Sequence, residues 1–191
     1  MKGQGKQGEK PPVRSCGACS LCCTVLRVDE LHKLGGVPCK ELDPKGGCGV
    51  HPTRPRICRE YECLWLQGRL TEGDRPDRLG AVLDLLSEGG TARLAIREAR
   101  PGAFDQSPRL AEVAESFRSS VVVRVSGSDD VLDPDAPYRM LLPGGETHRV
   151  EGEWTTITWA DGRSERRRLP WLERSLRRFL LALRRWRLRR Y

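Results

Sequence analysis

Cys16-Gly17-Ala18-Cys19-Ser20-Leu21-Cys22-Cys23 opens a run, ending at Cys63, that holds all eight cysteines of the chain. The other four are Cys39, Cys48, Cys58 and Cys63. Thiols confined to one segment, with two overlapping Cys-x-x-Cys spacings and an adjacent pair, suit soft metal ions or iron-sulfur clusters better than general packing. An even number of cysteines also describes a secreted disulfide scaffold, and compartment separates the two. Met1 to Ser15 is a polar stretch of Lys, Gly, Gln, Glu and Pro without the apolar run of a signal peptide. The expectation is therefore a cytoplasmic protein whose thiols stay reduced and hold zinc or iron, the iron as an ion or as a cluster.

Two residues between cysteines close a loop that aims both sulfurs at one ion and leaves backbone amides free to hydrogen-bond them. Cys16, Cys19 and Cys22 make two such loops in overlap. Cys22 and Cys23 are harder to place, because neighbouring side chains diverge in a helix or a strand. They serve different ions, bridge two metals, or leave one thiol free. Thr53 and Pro55 read as a helix start, and five helical residues rotate by about 140°. Cys58 and Cys63 therefore reach one site only if that helix breaks. The working reading is two Cys-rich sites or one larger cluster.

Eight thiolates around two divalent ions leave a charge of about −4, and a four-iron cubane on four thiolates about −2. Arg14, Lys40, Lys45, Arg54, Arg56 and Arg59 are the cations at hand to offset it, or are ordinary solvated surface charge. His51, in Cys48-Gly49-Val50-His51-Pro52, is an imidazole candidate ligand. His32, in a short capped turn, and His148, in a distant turn, read as bystanders.

Outward from the cysteines the chain divides by composition. Residues 1–14 form a polar arm, disordered or loosely attached. Residues 15–68, punctuated by Gly35-Gly36, Pro38, Pro44, Gly46-Gly47, Pro52 and Pro55, have little core of their own and form a metal-binding module held mainly by its metal. Residues 69–162 carry the patterns of an α+β body. Apolar runs Ala81–Leu86 and Ala92–Arg97 flank Gly89-Gly90 as a hairpin. Leu110, Val113, Ala114 and Phe117 share one face of a helix capped by Ser107. Val121–Val125 reads as a buried strand, and Tyr138–Trp159 as a second hairpin turning at Gly144-Gly145 with Thr155–Thr158 as its closing strand. The predicted class is α+β with an antiparallel sheet. No phosphate-binding glycine loop and no Ser/His/Asp set occurs in the sequence, and nothing in the spacing singles out an acid/base pair.

The net charge of +8 is concentrated at one end. Twelve arginines and two glutamates from Arg163 to Tyr191 amount to +10, leaving −2 for the rest. Residues 163–191 are predicted to form a basic amphipathic helical tail, with Leu172, Leu176, Phe179, Leu180, Leu183 and Trp186 along one face. That face packs on the protein's own body, or residues 170–191 meet an anionic membrane surface, nucleic acid or a protein partner. No run approaches the ~18 apolar residues of a membrane span.

The cysteine pattern, with Pro38-Cys39, Gly47-Cys48, Arg54-Pro55, Cys58-Arg59 and Cys63-Leu64-Trp65, resembles the CxxCxxCC (YkgJ-type) cysteine cluster family of zinc- or iron-chelating domain proteins. The resemblance spans residues 14–68. It implies that all eight cysteines belong to the family's metal cluster, that Arg54-Pro55 is part of its signature, and that His51 stands where an aromatic residue is usual. Flagellin lysine N-methylases, thought to use an iron-sulfur centre, carry a similar pattern. Three functions follow as expectations: a metal-binding protein, an iron-sulfur redox or methyl-transfer component, or an adaptor with a structural metal and a partner-binding tail.

Overall fold

The structure, a computed structural model, describes residues 14–88, 90–127 and 136–188. Residues 1–13 of the polar arm, Gly89 of the first turn and the last three residues of the tail lie outside the described residues. In chain order the elements are α1 (Leu21–Val25), α2 (Arg56–Glu60), α3 (Pro76–Leu79), β1 (Ala81–Glu88), β2 (Thr91–Glu98), α4 (Ala103–Gln106), α5 (Pro108–Arg118), β3 (Val122–Ser126), β4 (Tyr138–Leu141), β5 (Thr147–Glu151), β6 (Trp154–Thr158), β7 (Ser164–Arg168) and α6 (Trp171–Leu188). Seven strands form one sheet in sequential order.

The first hairpin forms where the apolar runs place it, with Leu83 opposite Ile96 and Leu85 opposite Leu94. Gly90 takes φ +81° in its turn, a conformation open to glycine at little cost. Ser107 caps α5 by accepting from the Leu110 amide at 3.2 Å, and Leu110, Val113 and Ala114 are buried. The prediction of a wholly antiparallel sheet is corrected at one pairing. β3 runs parallel to β2, with Leu94 opposite Val123 and Ile96 opposite Val125, so the sheet is mixed. Helices α4 and α5 supply the crossover that a parallel pair requires.

Strand β1 decides where the cysteines lie. Ala81, Val82, Leu83 and Asp84 are all buried, so both faces of the strand are covered. Ala81 and Leu83 join Leu94, Ile96, Phe104, Leu110, Val113, Val123 and Val125 in the main core beneath α4 and α5. Val82, on the opposite face, joins Val25, Leu26, Cys63 and Trp65 in a second apolar cluster. The alternation of a strand thus puts helices on one side of the sheet and the cysteine segment on the other. The Leu64 amide fastens the segment to the strand by donating to Leu83 O at 2.9 Å.

Tyr138–Trp159 contains three strands rather than one hairpin, turning at Gly144-Gly145 and again at Gly152. His148 lies in β5, not in a turn. The tail expected from residue 163 divides: Ser164–Arg168 is edge strand β7, paired with β6, and the helix begins at Trp171.

Candidate metal centre

All eight cysteines line one cavity of about 700 Å³ between the cysteine segment and strands β1 and β2. Seven are half-buried, Cys63 is buried, and none is disulfide-bonded. Short elements with local hydrogen bonds bring them there. The Cys19 amide donates to Cys16 O at 2.9 Å, closing the first Cys-x-x-Cys turn, and α1 carries Cys22 and Cys23. The Cys39 amide donates to Cys23 O at 2.9 Å, and an isolated bridge sets Cys48 against Leu42. Gly46 and Gly47 lie against the first turn: a Cβ on Gly47 would stand 3.1 Å from Gly17 O, and one on Gly46 3.2 Å from Ala18 O. Both have positive φ, so glycine is needed here for conformation and for closeness.

Helix α2 stops at Glu60, with Tyr61 extended, and this break lets Cys63 return to the cavity that Cys58 also lines. Cys22 and Cys63 meet in the second apolar cluster. On the other side of α1, Cys23 lies close enough to Cys58 for its charge to raise that thiol's pKa, as do Cys39 and Cys48. Both members of the adjacent pair lie near Cys16, Cys23 also near Cys58, and their own two sulfurs are hydrogen-bonded.

Burial, then the neighbouring thiolate charge of Cys19, pushes the Cys16 thiol up. Burial does the same to Cys19, Cys58 and Cys63. Cys22 is raised because it donates its proton to Cys23 and is buried. Cys23 goes the other way, down to about 7, since it accepts that bond and lies near Lys33 and Arg54. The backbone amides of Leu21 and Asp77 donate to the Cys19 sulfur, and those of Leu66 and Trp65 to the Cys63 sulfur. Amides aimed at sulfur stabilise thiolate, the form that binds metal.

The cations sort themselves by position. Arg54 lines the cavity and spans its loop, donating to His51 O at 2.7 Å and to Cys58 O at 3.1 Å. Its Nη1 is also 3.0 Å from His51 Nδ1. That lone pair is engaged by Arg54 rather than offered to a metal. Arg14 and Arg59 also line the cavity, Arg14 stacked 4.9 Å over Trp65 and donating to Trp65 O at 2.7 Å. Lys40 and Lys45 are exposed, and Arg56 pairs with Glu60 at 2.6 Å on the outside.

Two features escaped the sequence reading. Lys33 is buried, and its ammonium donates to Thr24 O and Leu34 O, each at 3.1 Å, and to Leu26 O, just past the end of α1. Asp84, buried on β1, accepts from Tyr61 Oη at 2.6 Å and pairs with Arg97. Burial, then the Asp84 charge, holds the Tyr61 phenol well above its usual range. Nothing in the sequence marked Lys33; Asp84 was visible as the one carboxylate in the apolar run Ala81–Leu86.

Among the described residues, no three Cys, His, Asp or Glu side chains converge on one ready-made metal position. The donor set itself fits a soft metal: eight thiols on one cavity, amides aimed at two of the sulfurs, and cations beside them. Thiolate is the form that binds an ion, so binding would release the thiol protons. No protein-family model, curated protein or solved structure matches the chain.

Proposed function

We propose that this is a metal-binding protein that takes zinc or iron, the iron as an ion or an iron-sulfur cluster, through Cys16, Cys19, Cys22, Cys23, Cys39, Cys48, Cys58 and Cys63. The observation that carries the reading is that every thiol of the chain lines one cavity. The wall opposite the thiols is strand β1, buried from Ala81 to Asp84, while seven of the eight thiols are only half-buried. Loops that carry such thiols close on an ion and are ordered by it, so binding free energy becomes folding free energy. Arg54 and Lys33 offset the charge that the thiolates leave.

A second reading, an iron-sulfur redox or methyl-transfer component, draws on the breadth of the cavity and on the Tyr61–Asp84–Arg97 group in its wall. Anaerobic purification with metal analysis and an absorption spectrum of the same sample tests both. Zinc bound in proportion to protein, with no visible band, supports the binding protein and removes the cluster. Iron with acid-labile sulfide and a broad band near about 400 nm supports the cluster. Purified and reconstituted protein without either metal overturns the proposal.

A further inference from the structure

Helix α6 is held to the body by the wrong side for a self-packing helix. Arg174 and Arg178 pair with Glu153, the latter at 3.8 Å, and Glu153 also holds Arg168 at 2.6 Å and accepts the Leu169 amide at 2.9 Å. At about 100° per residue, those two arginines lie nearly opposite the ridge of Leu172, Leu176, Phe179, Leu180 and Trp186. The ridge is 51–64% exposed, with Leu183 at its centre half-buried, and the 66% exposed Trp171 lies on the arginine side at the start of the helix. An amphipathic helix ordinarily turns its apolar stripe inward. Here the arginine side faces Glu153 and the stripe faces out, so the expectation that the tail packs by its apolar face on its own body is set aside for these residues.

Charge decides what covers the ridge. Residues 163–191 hold twelve arginines against two glutamates, and every residue of β7, from Ser164 to Arg168, is exposed. A second copy would bring the same charge to the contact and be repelled. Nucleic acid would meet the arginines and leave the ridge in water. An anionic lipid surface satisfies both parts, taking Leu and Phe into its acyl boundary and Trp186 to headgroup level, while the arginines of the segment not held by Glu153 supply the attraction to phosphate. No helix among the described residues is long and apolar enough to cross a membrane. We propose that α6 lies by its apolar ridge on an anionic phospholipid bilayer, drawn there by the arginine-rich segment 163–191.

Flotation of the full chain with phosphatidylcholine vesicles, with and without phosphatidylglycerol, tests this, alongside the doubly substituted Leu176→Glu, Phe179→Glu protein. The wild type is expected to bind the phosphatidylglycerol vesicles roughly tenfold or more tightly than phosphatidylcholine alone, and to lose that binding in high salt. The double variant is expected to bind at least about tenfold more weakly, since two apolar side chains no longer enter the lipid. Because both sites are exposed, circular dichroism of the variant should match the wild type. Blue-shifted, quencher-protected tryptophan emission of the wild type on anionic vesicles gives a readout free of any variant. No binding to anionic vesicles, equal binding by the variant, or self-association that the variant abolishes would each overturn the proposal. So would binding to duplex DNA or RNA that survives competition from anionic vesicles.

Discussion

From Leu34 to Glu62 the chain buries only Gly35 and Gly47, whereas from Ala81 to Asp84 it buries four consecutive side chains. The first stretch carries Cys39 outside any helix or strand, Cys48 on an isolated bridge with Leu42 and Cys58 on the five-residue helix α2. The second is the strand on which both apolar clusters rest. The two stretches differ in how much burial can order them. The sheet is held by what it removes from water, at about 25 cal/mol per Å². Between Leu34 and Glu62 the cysteine segment has little buried apolar surface, and the proposed metal would supply the ordering that burial supplies in the sheet.

Four substitutions bear on that contrast. The largest effect belongs to Leu83→Ala, which empties a fully buried position of the main core. It should cost about 2–5 kcal/mol and lower the denaturant midpoint of the sheet, leaving metal stoichiometry of the folded protein unchanged. Lys33→Met comes next. It leaves the carbonyls of Thr24, Leu26 and Leu34 without their ammonium, at about 2–3 kcal/mol. It should weaken metal binding, measured by competition with a chelator, while the sheet melts as before.

Asp74→Asn acts only on the body. Asp74 is buried and accepts from Arg109 Nε at 2.7 Å and from the Thr71 amide at 2.9 Å, bonds that hold its carboxyl below the usual range. Arg109 is half-exposed, so solvent screening limits the loss to about 1–3 kcal/mol. A carboxyl depressed in the folded state adds stability that is complete above its unfolded pKa of about 3.9 and fades as pH falls through the lower folded value. The gap between wild type and variant should hold from neutral pH to about pH 5 and shrink below about pH 4. Metal release in the same titration should be independent of this substitution, because protons there compete for the cysteine sulfurs and not for Asp74. Gly47→Ala is the smallest, about 1–2 kcal/mol, from a strained φ of +87° and a Cβ 3.1 Å from Gly17 O. Its effect should fall on metal affinity, since Gly47 seats Cys48 beside the first turn.

What the sequence made legible follows the same division. Cysteine spacing marked the segment, and α2 breaks where Cys58 and Cys63 needed it to. Apolar runs around a Gly-Gly turn marked β1 and β2, and Ser107 marked the start of α5. Direction was not legible, because Val121–Val125 reads alike as a parallel or antiparallel strand; the α4–α5 crossover fixes it. Strand β7 was hidden because Ser164–Arg168 has no buried face. It is kept by pairing with β6, by Arg166 stacked 4.7 Å over Trp154, and by the Arg168–Glu153 pair. Lys33 and the Tyr61–Asp84–Arg97 group depend on residues far apart in sequence, or on local turns with no compositional signature.

On the proposed function, metal orders the cysteine segment while the sheet stands without it. Hydrogen exchange resolved along the chain, on anaerobic metal-loaded protein and on the same protein after chelation, tests this most directly. Chelation should strip protection from amides such as Cys19, Cys23, Cys39 and Gly49, and leave β1, β2 and β3 as slow as before. Equal protection of residues 16–63 in the two samples would mean that the segment is ordered without metal.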